Sequence, residues 1–322
     1  MNRHEFENKN GSDWKNFELQ LENSKGKKAT SDNHKLPSRF RKICYDLSLA
    51  QYRMFGQQIC DRLNGLAIVG YRQIHRKRGA FGEGFLHFFL DTFPAAFRRE
   101  WKLFMVVSFV FLGPFFAMWW SADKEIEWVQ ALLGAEAMSD IEGMYGKDAD
   151  SVEYLRQEHG SNFMMFAHYI NNNVGIDFRI FAGGIFFGIG TLFFLIYNGL
   201  YLGAVVGYVE YAGNSELLWK FVAGHSSFEI LGMLVVGMAG LKIGFALLAP
   251  GQLIRGEALT RAGRGGLPLL IGGACMTSLA AVVEGFWSAQ PIDTNIKYMV
   301  GVAFWLMHLL YFVFVGRGGR GT

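Results

Sequence analysis

Residues 180–315 are built mostly of Gly, Leu, Val, Ile, Phe and Ala, in windows long enough to cross a lipid bilayer. A spanning helix needs ~20 apolar residues, because each adds ~1.5 Å against a ~30 Å hydrocarbon core. In lipid every backbone N–H and C=O must be satisfied within the protein, and apolar runs of this length do that as helices. The sequence therefore predicts an all-α, polytopic membrane protein with about six transmembrane helices. We place them at residues 103–120, 180–197, 199–211, 228–249, 266–287 and 298–315. The third is too short for one straight crossing. It needs completion by 214–221, or it is re-entrant.

Charge orients these spans. Residues 1–102 carry 19 Lys and Arg against 11 Asp and Glu, including Arg76-Lys77-Arg78 and Arg98-Arg99. Residues 121–178 reverse the balance, with 11 acids against 3 bases. Arg255, Arg261 and Arg264 lie between two later spans, and Arg317 and Arg320 follow the last. Basic flanks stay on the cytoplasmic side, so six crossings place both ends inside, in a multi-pass protein of a bacterial inner membrane. No apolar segment precedes residue 41, so no cleavable signal peptide is expected. Cys44, Cys60 and Cys275 lack the spacing of a disulfide framework or zinc site.

The expected organisation is a polar tail (1–37), then a helical cytoplasmic region ending in an interfacial helix (38–102). The first span (103–120), an acidic outer segment (121–179), a Gly-rich bundle (180–315) and a basic tail (316–322) follow. In the interfacial piece Phe85, Phe88, Phe89, Phe93, Phe97 and Trp101 stand among Arg98, Arg99 and Lys102, as suits a helix in the headgroup plane. Pro94 is expected to interrupt it. The outer segment reads as short helices, at 126–138 and 151–157. It carries no GxSxG, P-loop or HExxH element, so neither an enzyme nor a cofactor is expected. The basic stretches lack a nucleic-acid motif.

Two sets of residues stand out in the bundle. Gly184–Gly188, Gly203–Gly207 and Gly240–Gly244 are GxxxG pairs, which let helix backbones approach closely in lipid, within one chain or in a homo-oligomer. The second set is ionisable. Such residues inside a membrane face a partner or a water-filled cavity. His225 and Glu229 are four apart, on one helix face. Together with Glu284, Arg179 and Asn172 they form a candidate polar cluster at the outer leaflet. Lys242 is read as alone in the inner half of its span, reaching back to the headgroups. No acid is placed at mid-depth. The cluster reads as a structural lock, with a proton or ion path as the alternative.

Several runs resemble the stage II sporulation protein M family: Asn171-Asn172-Asn173, FAGGIFFGIGT at 181–191, Asn198-Gly199-Leu200, GHSSFE at 224–229, AGLKIG at 239–244, Pro250-Gly251 and EGFW at 284–287. Spore-forming members usually have Gly where Ser226 stands, so the chain is more similar to the branch of non-sporulating Gram-negative bacteria. The resemblance implies a multi-span protein without established catalysis, acting as a scaffold for a cell-envelope complex linked to peptidoglycan remodelling. It further implies partners such as a MoxR-type AAA+ ATPase and von Willebrand A-domain proteins. A small-solute or ion transporter is the competing expectation.

Overall fold

The computed structural model describes residues 2–23, 36–74, 81–146, 154, 157–158, 160–213 and 215–317. Arg76-Lys77-Arg78, most of 151–157 and Arg320 lie outside them. The chain divides into two compact units, Met1–Phe81 and Gly82–Thr322.

The first unit is a three-helix bundle of α1 (Arg3–Asn23), α2 (Leu36–Tyr52) and α3 (Gln57–Ile74). Asn2 and Glu5 cap α1 reciprocally, each side chain accepting from the other's backbone N–H at 2.9 Å. Phe6, Trp14, Phe17 and Leu21 share one face of α1 and pack with Leu36, Ile43, Ile59 and Leu63 in a core. At the helix crossing, a Cβ on Gly70 would come within 2.8 Å of Phe17 Cζ. The expected polar tail is thus corrected. Its few apolar residues looked sparse along the chain, but helical periodicity gathers them on one side. Lys42 pairs with Asp13 across α1 and α2. That hydrogen bond to Asp13 raises the Lys42 pKa above its ordinary value.

The second unit holds α4 (Phe81–His87), α5 (Phe93–Arg99), α6 (Trp101–Ala122), α7 (Ile126–Tyr145), α8 (Asn162–Tyr169), α9 (Gly175–Gly183) and α10 (Ile189–Ala212), then α11 (Ser215–Val222), α12 (Ser226–Leu248), α13 (Arg255–Val283) and α14 (Thr294–Phe314). Five helices among the described residues, α6, α10, α12, α13 with its extension to Ser288, and α14, are long and apolar enough to cross a membrane. This is a polytopic α-helical membrane protein. The central helix is α12, with 72% of its apolar window buried against 11% for α6. Antiparallel α13 packs on it, Gly232 meeting Gly273 and Thr277, and Gly266 meeting Ala239.

A sixth traverse comes from a bent helix, α8, a π-turn at Ile170–Val174, and α9. It starts where Phe166 packs on Gly285 and descends beside α12 to Gly240. The chain then turns at residues 184–188, with Phe187 (φ 54°) and Gly188 (φ 84°) left-handed. This corrects the boundaries of two expected spans. Residues 180–197 are not one helix, because the turn cuts them; 199–211 is neither short nor re-entrant, because it completes α10. Residues 215–222 form a separate short helix. No polar residue marked the turn because it needs no water: Gly188 N–H donates to Gly184 O and Ile189 N–H to Phe186 O, each at 3.0 Å.

Pro94 does not break the interfacial region either. A π-turn at Phe88–Thr92 leads into α5, where Pro94 sits in the first turn and no intrahelical N–H is needed. The expected interfacial helix is also partly core. Phe93 is buried against Gly272, and Phe97 stacks on Phe312 with ring centroids 4.0 Å apart. Arg98 Nη1 donates to the carbonyls of Phe312 (3.0 Å) and Val315 (2.6 Å), satisfying the C-terminus of α14. The start of α6 and the end of α14 therefore lie at the same end of the bundle, as an even number of crossings requires.

Candidate functional site

At the opposite end, three titratable side chains converge from two helices. His225 is the N-cap residue of α12, and Glu229 follows one turn later. Glu284 opens a π-turn (Glu284–Ser288) that prolongs α13, and that extra backbone residue per turn rotates the helix end. His225 Nε2 lies 3.8 Å from Glu229 Oε2 and 3.9 Å from Glu284 Oε1. One ligand-type atom from each of the three falls within 4.8 Å of the others. His225 is 3% exposed and Glu284 7%. The imidazole is oriented by Ser288, whose Oγ lies 3.0 Å from His225 Nδ1. Lys297 Nζ donates to the Ser288 carbonyl at 2.6 Å and lies over the Trp287 ring.

Asn173 lies beside Glu284, and Asp177 lies beside Thr277, one helical turn further into the bundle. Asp177 is 1% exposed, and neither of its oxygens has a hydrogen-bond partner, because the Thr277 hydroxyl donates to Gly273 O. Glu284 Oε2 is likewise buried without a partner. Tyr145, at the end of α7, is buried nearby. Burial first, then the Glu284 and Glu229 carboxylates, push its phenol pKa well up.

Two residues expected in the cluster, Arg179 and Asn172, stand outside it, and Lys242, expected alone, has a partner. Arg179 is exposed on α9, because the buried face of that bent helix carries Asn173, Asp177 and Ile180, and Arg179 points away from it. Asn172 is exposed too, donating to Asn173 Oδ1 at 2.9 Å. Lys242 is at the far end of α12 and is not alone: it forms an ion pair with Glu100, at the N-terminus of α6. Asn173, Asp177 and Lys297 are the polar residues that the sequence reading missed. The four-residue spacing of Asn173 and Asp177 was the available signal.

The glycine pairs pack within the chain. A Cβ on Gly184 would lie 2.3 Å from Gly240 O, and one on Gly244 2.4 Å from Gly188 Cα. Gly203 and Gly207 meet the backbone and side chains of α6 at Phe115 and Ala122. An apolar groove of about 570 Å³ runs between α6, α10, α12 and α14, with His225 and Glu229 on its wall beside Phe111, Met233 and Trp305.

The model of the stage II sporulation protein M family matches residues 105–289, more than half of the chain. The chain belongs to that family. The match runs from α6 to the π-turn of Glu284, so this family member carries His225, Glu229, Glu284, Asp177 and the packed glycines inside the family region. A second model, of a domain of unknown function (DUF8413), matches residues 4–76. That range covers the three-helix unit, including the helix where a tail was expected. No curated protein and no solved structure matches the chain.

Proposed function

We propose that this protein is a membrane scaffold that anchors a cell-envelope complex at a bacterial inner membrane, without catalysing a reaction itself. The observation that carries the reading is the separate three-helix unit. It has its own core, it is tied by the chain to a membrane bundle, and it exposes Tyr45, Tyr52, Met54 and Ile68 to solvent. Tyr52 and Met54, two residues apart and both more than four-fifths exposed, are the side chains most available to a docking partner. The partners expected from the family resemblance are a MoxR-type AAA+ ATPase, von Willebrand A-domain proteins and peptidoglycan-remodelling enzymes. Affinity purification in mild detergent should retrieve such a partner, and the double variant Tyr52→Asp/Met54→Asp should lose it while the protein stays monodisperse. Equal retrieval by parent and variant would remove the docking role from this unit.

A second reading, passage of an ion or small solute, is supported by Asp177. A buried carboxylate below the Glu229–Glu284 pair places acids at two depths, as a relay through a membrane bundle requires. In proteoliposomes the parent should then show proton or cation flux that Asp177→Asn lowers at least tenfold. Flux at the level of empty vesicles across a panel of ions and solutes would end this reading.

A further inference from the structure

We propose that His225, Glu229 and Glu284 form a binding site for a divalent transition-metal cation of the Zn²⁺ class, at one end of the membrane bundle. The donor set is one imidazole nitrogen and two carboxylate oxygens; both ligand types bind zinc, and the imidazole favours a transition metal over magnesium. The separations of 3.8 and 3.9 Å are too long for hydrogen bonds. Ligands held ~2.0–2.2 Å from a tetrahedral ion stand about 3.3–3.6 Å apart, so the two His–Glu separations must contract by roughly half an ångström and the two carboxylates, whose ligand atoms lie within 4.8 Å of one another, by up to about 1.5 Å.

The independent observation is Glu284 itself. It is 93% buried (7% exposed), its side chain points into the triad, and Oε2 has no hydrogen-bond partner. A buried carboxylate without a cation keeps its proton, and a bound metal ion would take that proton's place. Among the described residues no Lys or Arg forms an ion pair with Glu229 or Glu284, and the nearby Lys297 is held by the Ser288 carbonyl and the Trp287 ring. The supporting shell is also present. Ser288 Oγ can accept from Nδ1–H of His225; in that tautomer the Nε2 lone pair faces the two carboxylates, the orientation that second-shell partners impose on metal-bound histidines. Glu229, 29% exposed at its side chain, lines the apolar groove, which gives the ion an entry path and leaves one coordination position for water or a ligand lying in the groove. This inference does not rest on the scaffold reading, and it stands or falls separately from it.

The test uses the full-length, untagged protein in detergent, stripped with a chelator and titrated with ZnCl₂ or MgCl₂ by calorimetry, with metal content measured after gel filtration. The expected result is one equivalent of zinc retained, with magnesium failing to compete at equal concentration. Glu284→Gln and His225→Asn should weaken zinc binding by at least ~10-fold, and Ser288→Ala by ~10–100-fold through loss of the supporting contact. Glu210→Gln should bind as the parent does, because Glu210 pairs with Trp119 away from the triad. If Glu284→Gln does not stay monodisperse, Glu229→Gln, which removes the partly exposed ligand, gives the same reading. A monodisperse parent that retains no zinc above the buffer blank overturns the proposal. So does zinc retained equally by the parent and the ligand variants.

Discussion

Trp14→Ala should cost the N-terminal unit ~3–5 kcal/mol, the range for truncating a buried large aromatic. Trp14 is 2% exposed, packs edge-on against Phe6 at 5.5 Å, and donates from Nε1 to Asp46 Oδ2 at 2.8 Å. Removing the indole opens a cavity among Phe6, Ile43 and Leu63. It also strips the 3%-exposed Asp46 carboxylate of its donor, a further ~1–3 kcal/mol when nothing replaces it. Small domains are stable by only ~5–15 kcal/mol in total, so this substitution brings the unit to the edge of unfolding. Limited proteolysis of the detergent-solubilised protein reads the effect: cleavage should appear within residues 3–74 while the membrane bundle stays intact. Trp128→Ala, at a side chain 66% exposed, should leave the digestion pattern unchanged. Unchanged protease resistance in the Trp14 variant would mean that α1 contributes little to that core.

Gly240→Val should strongly destabilise the bundle. A Cβ there would lie 2.5 Å from Thr191 Oγ1 and 2.9 Å from Ile180 O, where Thr191 already donates to Ile180 O at 2.7 Å. The facing atoms include backbone of α9, which cannot rotate aside as a flexible side chain would. Overpacking of this kind costs ~1–3 kcal/mol even in forgiving cores. Here it also pushes Gly184 off its contact with Gly240 O, so we expect the upper end of that range or more. Thermal unfolding in detergent should show a lower midpoint for Gly240→Val. Gly263→Val, where a Cβ meets nothing within 4 Å, should shift the midpoint only by the small helix-propensity difference, which favours Val over Gly. Equal midpoints for the two variants would show that the hairpin of α9 and α10 does not pack on α12 as described.

These two positions also separate what was legible in the sequence from what was not. Membrane class and all-α architecture follow from the length of the apolar windows, because one bilayer thickness and one helical rise set that length for any sequence. The placing of His225 beside Glu229 was legible for the same local reason, a spacing of four within one helix. Tertiary structure decided the remainder. The turn at 184–188 carries no polar residue, because its backbone groups are satisfied locally and its glycines lie against α12. Arg179 leaves the cluster and Asp177 enters the bundle because α9 is rotated so that Asn173, Asp177 and Ile180 face inward. Glu284 meets His225 because a π-turn redirects the end of α13, and Lys242 meets Glu100 because α12 and α6 lie side by side. Helical periodicity sets which residues share a face. Which face turns inward, and what it meets from another helix, depends on rotation of each helix about its own axis, and only the packed bundle fixes that rotation.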